Sequence, residues 1–215
     1  MLKKPFSKLA ESKYLFYSTL FINVILICFT KFYPSMDGPA HLYNSNILLH
    51  LIKGNQFMSE FYSINSLPVP NWTSHAILVI FHSFLPAWIA EKILLVLYVS
   101  GMALSFRYLI NVLNPKNISL SILVFPFIYS FLFHLGLYNF CLSFIFLFTT
   151  IAYFIQSINS TNPFKYPILF LLILISYFTN PVIFCFSGLT MGLYIIYFSS
   201  VKYADGKDTV STLKY

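Results

Sequence analysis

Charge is what this sequence has least of. Six Asp and Glu and thirteen Lys and Arg make up 9% of its 215 residues, about a third of the roughly 25% usual in soluble domains. A soluble globule of this size needs more polar surface than that, so a soluble enzyme and a disordered chain are both excluded. Glycine numbers only seven, which excludes a collagen-like fibre. No Gly-rich phosphate loop, Walker motif, HExxH or Gly-x-Ser-x-Gly occurs, so soluble nucleotide chemistry is not indicated. The three cysteines, Cys28, Cys141 and Cys185, lie far apart inside apolar runs. They form neither a disulfide framework nor a metal spacing and read as small hydrophobes. No internal repeat is visible.

What remains is apolar. Hydrophobic residues make up 58% and aromatic residues 20%, and the mean hydropathy is +0.76, the composition of an integral membrane protein. Nine charged residues fall between Tyr14 and Val201, and uncharged runs extend over 14–30, 61–90, 117–164 and 166–201. A span takes about 20 largely apolar residues. The expected fold is therefore an all-α, multi-pass helical bundle of five to seven spans. The net charge of +7 does not point to nucleic acid, because the bases are scattered and four of the thirteen, Lys3, Lys4, Lys8 and Lys13, lie ahead of the first apolar run. That cluster is a positive-inside signal, placing residues 1–13 in the cytoplasm. A secretory signal peptide is the competing reading; the apolar segment is long for one, and no small-x-small site precedes Lys31.

The transmembrane region is expected over 14–199, with a polar tail over 200–215. The first span, 14–32, ends at Tyr33-Pro34 and opens an external loop over 33–71. Asp37 stands where a helix N-cap belongs, with Pro39 in the tolerant first turn. Ala40, Tyr43, Ile47 and Leu51 then recur at helical spacing until Lys53-Gly54, the pattern of an amphipathic helix on the outer membrane surface. A short second span is expected over 72–88, closed by Pro86. A third runs from Glu91-Lys92 on the inner side to about Leu113, with Arg107 near its outer end. Breaks at His134-Leu135-Gly136 and Asn180-Pro181 divide the last two apolar runs. Three Asn-x-Ser/Thr sequons, at Asn71, Asn117 and Asn159, arise easily by chance.

Polar groups at membrane depth are the candidates for function. Asp37, His41 and Asn44 are spaced by four and three and share one helix face. A carboxylate there has the chemistry of a general base toward a sugar or lipid hydroxyl, with His41 orienting it; the alternative is that Asp37 only caps a helix. Asn71, Trp72 and His75 return to the membrane on the same side and suit a sugar, by hydrogen bonding and ring stacking, or an ordinary interfacial helix start. Arg107 suits a lipid-linked phosphate, or snorkels to headgroups. His134, Asn139 and Asn180 read as polar islands at helix breaks.

Tyr33-Pro34-Ser35-Met36-Asp37-Gly38-Pro39-Ala40-His41-Leu42-Tyr43-Asn44, Pro70-Asn71-Trp72-x-x-His75, Ala90-Glu91-Lys92, Ser105-Phe106-Arg107-Tyr108-Leu109 and Gly136-Leu137-Tyr138-Asn139-Phe140 together resemble the amino-terminal part of a family of uncharacterised bacterial multi-pass proteins. That family in turn resembles the GT-C class of membrane glycosyltransferases, which use polyprenyl-phosphate sugar donors. The resemblance implies a GT-C-like fold in the bacterial cytoplasmic membrane and a loop acid, here Asp37, acting as base or within a metal-binding acidic pair. Gly38 departs from that pattern, standing where the second acid is often found. It also implies a longer protein, for which this chain would be the first part. No cofactor is expected, and dependence on a divalent metal is left open. The other readings are a transporter or flippase component in which His41, His75 and Arg107 line a path, and a non-catalytic membrane protein, which wide separation of Asp37, His75 and Arg107 would favour.

Overall fold

The computed structural model describes residues 13–204, and all its regular structure there is helical. The basic stretch 1–12 and the tail 205–215 lie outside the described residues. Helix α1 spans Lys13–Cys28, α2 Gly38–Ile52, α3 Gln56–Phe61, α4 Thr73–His82 and α5 Ala87–Leu113. A 3₁₀ stretch, Pro115–Val124, leads through α6 (Phe125–Ile128) and α7 (Phe131–His134) to α8 (Tyr138–Ser157), α9 (Lys165–Thr179) and α10 (Pro181–Ala204). Three stretches are long and apolar enough to cross a membrane: Ala87–Leu113, Tyr138–Ser157 and Pro181–Ser200.

Local chemistry explains the helices and their ends. In α1 the Thr19 hydroxyl and the Asn23 amide donate to main-chain oxygens one turn back, each at 2.8 Å, so an apolar helix carries its polar side chains without leaving them unpaired. Pro39 occupies the first turn of α2, as expected, but Asp37 makes no side-chain capping bond. Its carboxylate therefore remains available. The buried face of α2 is not the expected Ala40/Tyr43/Ile47/Leu51 stripe: Gly38, Ser45, Ile47 and Leu49 are buried, whereas Tyr43 is 56% exposed. The helix packs against α4 and the top of the bundle, and that curved partner, rather than a flat bilayer surface, decides which side is covered.

The chain runs between two ends of the bundle, an Asp37 end and an Arg107 end. At the start of α1 the Phe16 ring lies 4.5 Å from the Arg107 guanidinium. At its finish Lys92 Nζ donates to the carbonyl oxygens of Ile27, at 3.0 Å, and Thr30, so α1 and α5 are antiparallel. Arg107 Nη1 donates to Ser121 Oγ at 2.8 Å, at the lower end of the 3₁₀ crossing. The top of that crossing meets the Asp37 turn, where Met36 N–H and Asp37 N–H donate to the oxygens of His134 (3.1 Å) and Leu135 (2.9 Å). Helix α8 descends from Tyr138, bonded to Glu91, to Gln156, bonded to Tyr108. Helix α9 climbs back to Thr179, whose hydroxyl lies 2.7 Å from that of Thr73, and α10 descends again. The traverses are α1, α5, the broken crossing, α8, α9 and α10.

Residues 72–88 are not one of them, which corrects the expected second span. Helix α4 has ten residues, about 15 Å of rise against a hydrocarbon core of about 30 Å. It lies parallel to α2, with His75 beside His41 at one end, ring centroids 4.9 Å apart, and His82 near Lys53 and Asn46 at the other. Removing that span reverses α5. Glu91 and Lys92 therefore belong to the Asp37 end, and Arg107 to the opposite one, the reverse of the expected placement of both.

Helix α5 is the centre of the core. Ala90, Glu91, Leu94, Leu95, Tyr98, Val99, Met102 and Ala103 are buried and recur at three- and four-residue intervals, the signature of one packed face. They meet Phe133, Tyr138, Cys141 and Leu142 from the other elements. In lipid such contacts hold helices together through dispersion and close approach rather than by removing apolar surface from water, and the small Ala90 and Ala103, both fully buried, allow that approach.

Candidate functional site

Four chain breaks converge at the Asp37 end: the Tyr33–Gly38 turn, the Pro70–Ser74 turn, the His134–Leu137 link and the Asn180-Pro181 break. The first rests on the third. Gly136 has φ +82°, and a Cβ there would sit 2.7 Å from Gly38 N and 2.9 Å from Asp37 N. Only glycine combines that left-handed backbone with that proximity. Gly38 is crowded by side chains instead, since a Cβ on it would lie 2.1 Å from Ser35 Oγ and 2.5 Å from Tyr138 Oη. A side chain after Asp37 would have to displace the Ser35 hydroxyl, the Tyr138 phenol and the Glu91 carboxylate, which gives the departure from an adjacent acidic pair a steric setting.

The Pro70–Ser74 turn is held by the polar islands. Asn139 Oδ1 accepts from Ser74 N–H at 2.7 Å and its Nδ2 donates to Asn71 O at 2.7 Å. Asn180 Nδ2 donates to Asn71 Oδ1 at 3.5 Å, and Trp72 N–H donates to Phe178 O at 2.9 Å. Asn71 itself has φ +65°, a conformation that asparagine tolerates better than most residues. Asn139 and Asn180 are therefore framework residues, and much of Asn71's bonding capacity is committed to the same frame.

Within this frame the structure brings together most of the residues singled out from sequence. The His41 ring stacks on Tyr138, centroids 5.1 Å apart, and faces His75, which in turn meets Trp72 edge-on at 6.5 Å. His75 Nδ1 lies 3.4 Å from Asn71 O; donating there leaves Nε2 as the acceptor of a neutral ring. His41 Nδ1 is buried and has no protein partner. Burial pushes the His41 pKa down to about 4, His75 adds to the shift, and the Asp37 carboxylate and a hydrogen bond to the Gly136 backbone oppose it. The imidazole is neutral at physiological pH, so it accepts or relays a proton rather than supplying positive charge. Asp37 and Asn44 are exposed. A cleft of about 280 Å³, lined by Asn44, Asn71, Trp72 and His75 together with Ile47, Leu48, Leu51, Tyr62 and Ser63, opens beside this group.

Arg107 is not brought to it. Sixteen residues of continuous helix separate it from Glu91, about 24 Å of rise, and its partners are Ser121 and the Phe16 ring.

One residue of this end was set aside by the sequence reading. Glu91 is 1% exposed and accepts from Tyr138 Oη at 2.9 Å and from Tyr33 N–H at 3.5 Å. Because α4 is too short to cross, Glu91 falls at the Asp37 end, a placement that the apolar composition of 72–88 does not signal. His134 Nδ1 lies 3.1 Å from Tyr33 Oη. Burial, with Tyr129 and Cys141 adding, raises the Tyr33 phenol to about 12, so the phenol keeps its proton. Among the described residues no group of three or more His, Cys, Asp or Glu side chains is placed to hold a metal ion. No family model, curated protein or solved structure matches the chain.

Proposed function

We propose that the chain is a GT-C-like membrane protein of the bacterial cytoplasmic membrane that transfers a sugar from a polyprenyl-phosphate donor at the Asp37 end, facing outward. The observation that carries the reading is the exposed, uncapped Asp37 carboxylate one helical turn from the half-buried His41, whose ring meets that of His75, a residue lining a cleft shared with Trp72, Asn44 and Asn71. Asp37 takes the proton of the acceptor hydroxyl as that oxygen attacks the anomeric carbon, and the polyprenyl phosphate departs with the bonding electrons. The neutral His41 orients the carboxylate, Trp72 stacks on the sugar, and Asn44, Asn71 and His75 receive its hydroxyls. Arg107 takes no part in donor binding at this end.

Charge distribution supports the orientation. The described residues place Lys13, Arg107, Lys116, Lys165 and Lys202 toward the Arg107 end and Lys31, Lys53 and Lys92 toward the Asp37 end. The positive-inside rule counts Lys and Arg, so this excess supports a cytoplasmic Arg107 end, with the shorter traverses α1, α9 and the broken crossing embedded beside the three full-length helices. Asp37→Asn in membranes containing the protein tests the chemistry: loss of a general base lowers transfer from a polyprenyl-phosphate sugar by roughly 10²- to 10⁴-fold, and unchanged transfer overturns it. A non-catalytic membrane protein is the second reading. The separation of Arg107 from Asp37 and His75 favours it, and absence of transfer by the unsubstituted protein across lipid-linked sugars decides for it. The same separation removes Arg107 from any single path shared with His41 and His75, which weakens the transporter reading.

A further inference from the structure

We propose that Glu91 is a positioning residue for Asp37 and His41, acting through Tyr138 and Ser35. The inference rests on the reading of Asp37 and His41 as the reactive pair. A carboxylate is among the side chains least often fully buried unless it is paired, yet Glu91 takes its two hydrogen bonds from neutral donors, Tyr138 Oη and Tyr33 N–H. The adjacent ammonium, Lys92, is bonded instead to the carbonyls of Ile27 and Thr30 that end α1. A buried acid held only by neutral hydrogen-bond donors contributes little to holding a bundle together; what it provides here is geometry.

That geometry runs in two directions. Tyr138 Oη, bonded to Glu91, also lies 3.0 Å from Ser35 Oγ, and its ring carries the His41 imidazole. Glu91 Oε1, Tyr138 Oη and Ser35 Oγ together crowd the one face of Gly38 where a side chain would project, Oε1 coming within 3.0 Å of that point. The carboxylate thus fixes the rotation of Tyr138 and, through it, the tilt of His41, while the same three oxygens close the space behind the peptide that carries Asp37. Glu91 comes from the packed face of the central helix α5, so the exposed acid is referenced to the core of the bundle, as a preorganised site requires.

The test uses the full chain in detergent with ¹³C-labelled histidine, the His41 signal being assigned by its loss in His41→Gln. Stacking on Tyr138 displaces that signal from the position of the unstacked ring, for which exposed-loop histidine peptides give the reference. Glu91→Ala is expected to move it toward that reference; Glu91→Gln, whose amide oxygen still accepts from Tyr138, is expected to retain most of the displacement. Where transfer is measurable, Glu91→Ala lowers kcat roughly 10²-fold, the scale of a misplacement of about 1 Å, with KM within about threefold of the original. An unmoved His41 signal in folded Glu91→Ala overturns the proposal. Should that variant not fold, Tyr138→Phe cuts the same hydrogen bond while keeping the ring, and an unmoved signal there overturns it equally. A chain without transfer activity in which His41 still responds to Glu91 refutes the transferase reading and leaves the positioning role standing.

Discussion

Replacing Gly136 with alanine drives a methyl group into the backbone of the Asp37 turn. The left-handed φ of +82° costs an L-residue about 1–2 kcal/mol by itself. The added Cβ lies 2.7 Å from Gly38 N, 2.9 Å from Asp37 N and 3.1 Å from Asp37 C, main-chain atoms that cannot rotate aside. The turn must lift, and the bonds from Met36 N–H and Asp37 N–H to His134 and Leu135 weaken or break, about 1 kcal/mol each. The total is about 3–4 kcal/mol. Gly54 supplies the control: its φ is +74° but nothing lies within 4 Å of its would-be Cβ, so Gly54→Ala carries only the conformational part, about 1–2 kcal/mol. Reversible unfolding of the detergent-solubilised protein, followed by helical circular dichroism, measures both. Equal losses for the two substitutions refute the claim that the His134–Leu137 link braces the Asp37 turn.

Arg107→Ala is expected to leave binding in the Trp72 cleft unchanged within about twofold while loosening the opposite end by about 1–2 kcal/mol, through loss of the Ser121 bond and the Phe16 contact; a collapse of cleft binding in a folded variant would contradict the placement. His41 gives a pH dependence of definite sign. Its folded pKa, about 4, lies below the ordinary 6.5, so the unfolded chain takes up the proton first and stability falls as pH drops through that window, remaining flat above it. His41→Gln should shallow the fall in thermal midpoint between those limits, and an unaltered slope shows that His41 is not the group responsible. Asn139→Ala releases both bonds to the Pro70–Ser74 turn and should raise protease cleavage between residues 62 and 72 several-fold, with no effect expected at the Arg107 end.

The helical membrane class of fold was legible in the scarcity of charge, and His41, Asn44, Trp72 and His75, which stand out as polar or interfacial residues in an apolar chain, do lie together at one end. The topology was misread at a single point. Residues 72–88 are as apolar as a span, and composition cannot distinguish a helix that crosses from one that lies across the end of a bundle; the ten-residue length of α4 and its pairing with α2 do. That one miscount reversed α5, moving Glu91 away from Asp37 and Arg107 toward it. Asn139 and Asn180 were equivocal for another reason: an asparagine in an apolar run serves a ligand or a turn, and only the positions of Ser74 and Asn71 assign these two to the turn. The buried face of α2 depended on a partner helix that periodicity does not contain.

Everything functional depends on Asp37 and Arg107 lying on opposite sides of the membrane, with Asp37 outside. The direct measurement uses a background in which Cys28, Cys141 and Cys185 are replaced by serine and single cysteines are introduced by Glu60→Cys, near Asp37 in the external loop, and Lys116→Cys, beside the Arg107 end; both positions are exposed. A membrane-impermeant maleimide applied to intact cells is expected to label the first and to reach the second only after permeabilisation. Labelling of both from outside, or of Lys116→Cys alone, contradicts the six-traverse topology and removes Asp37 from the outer face.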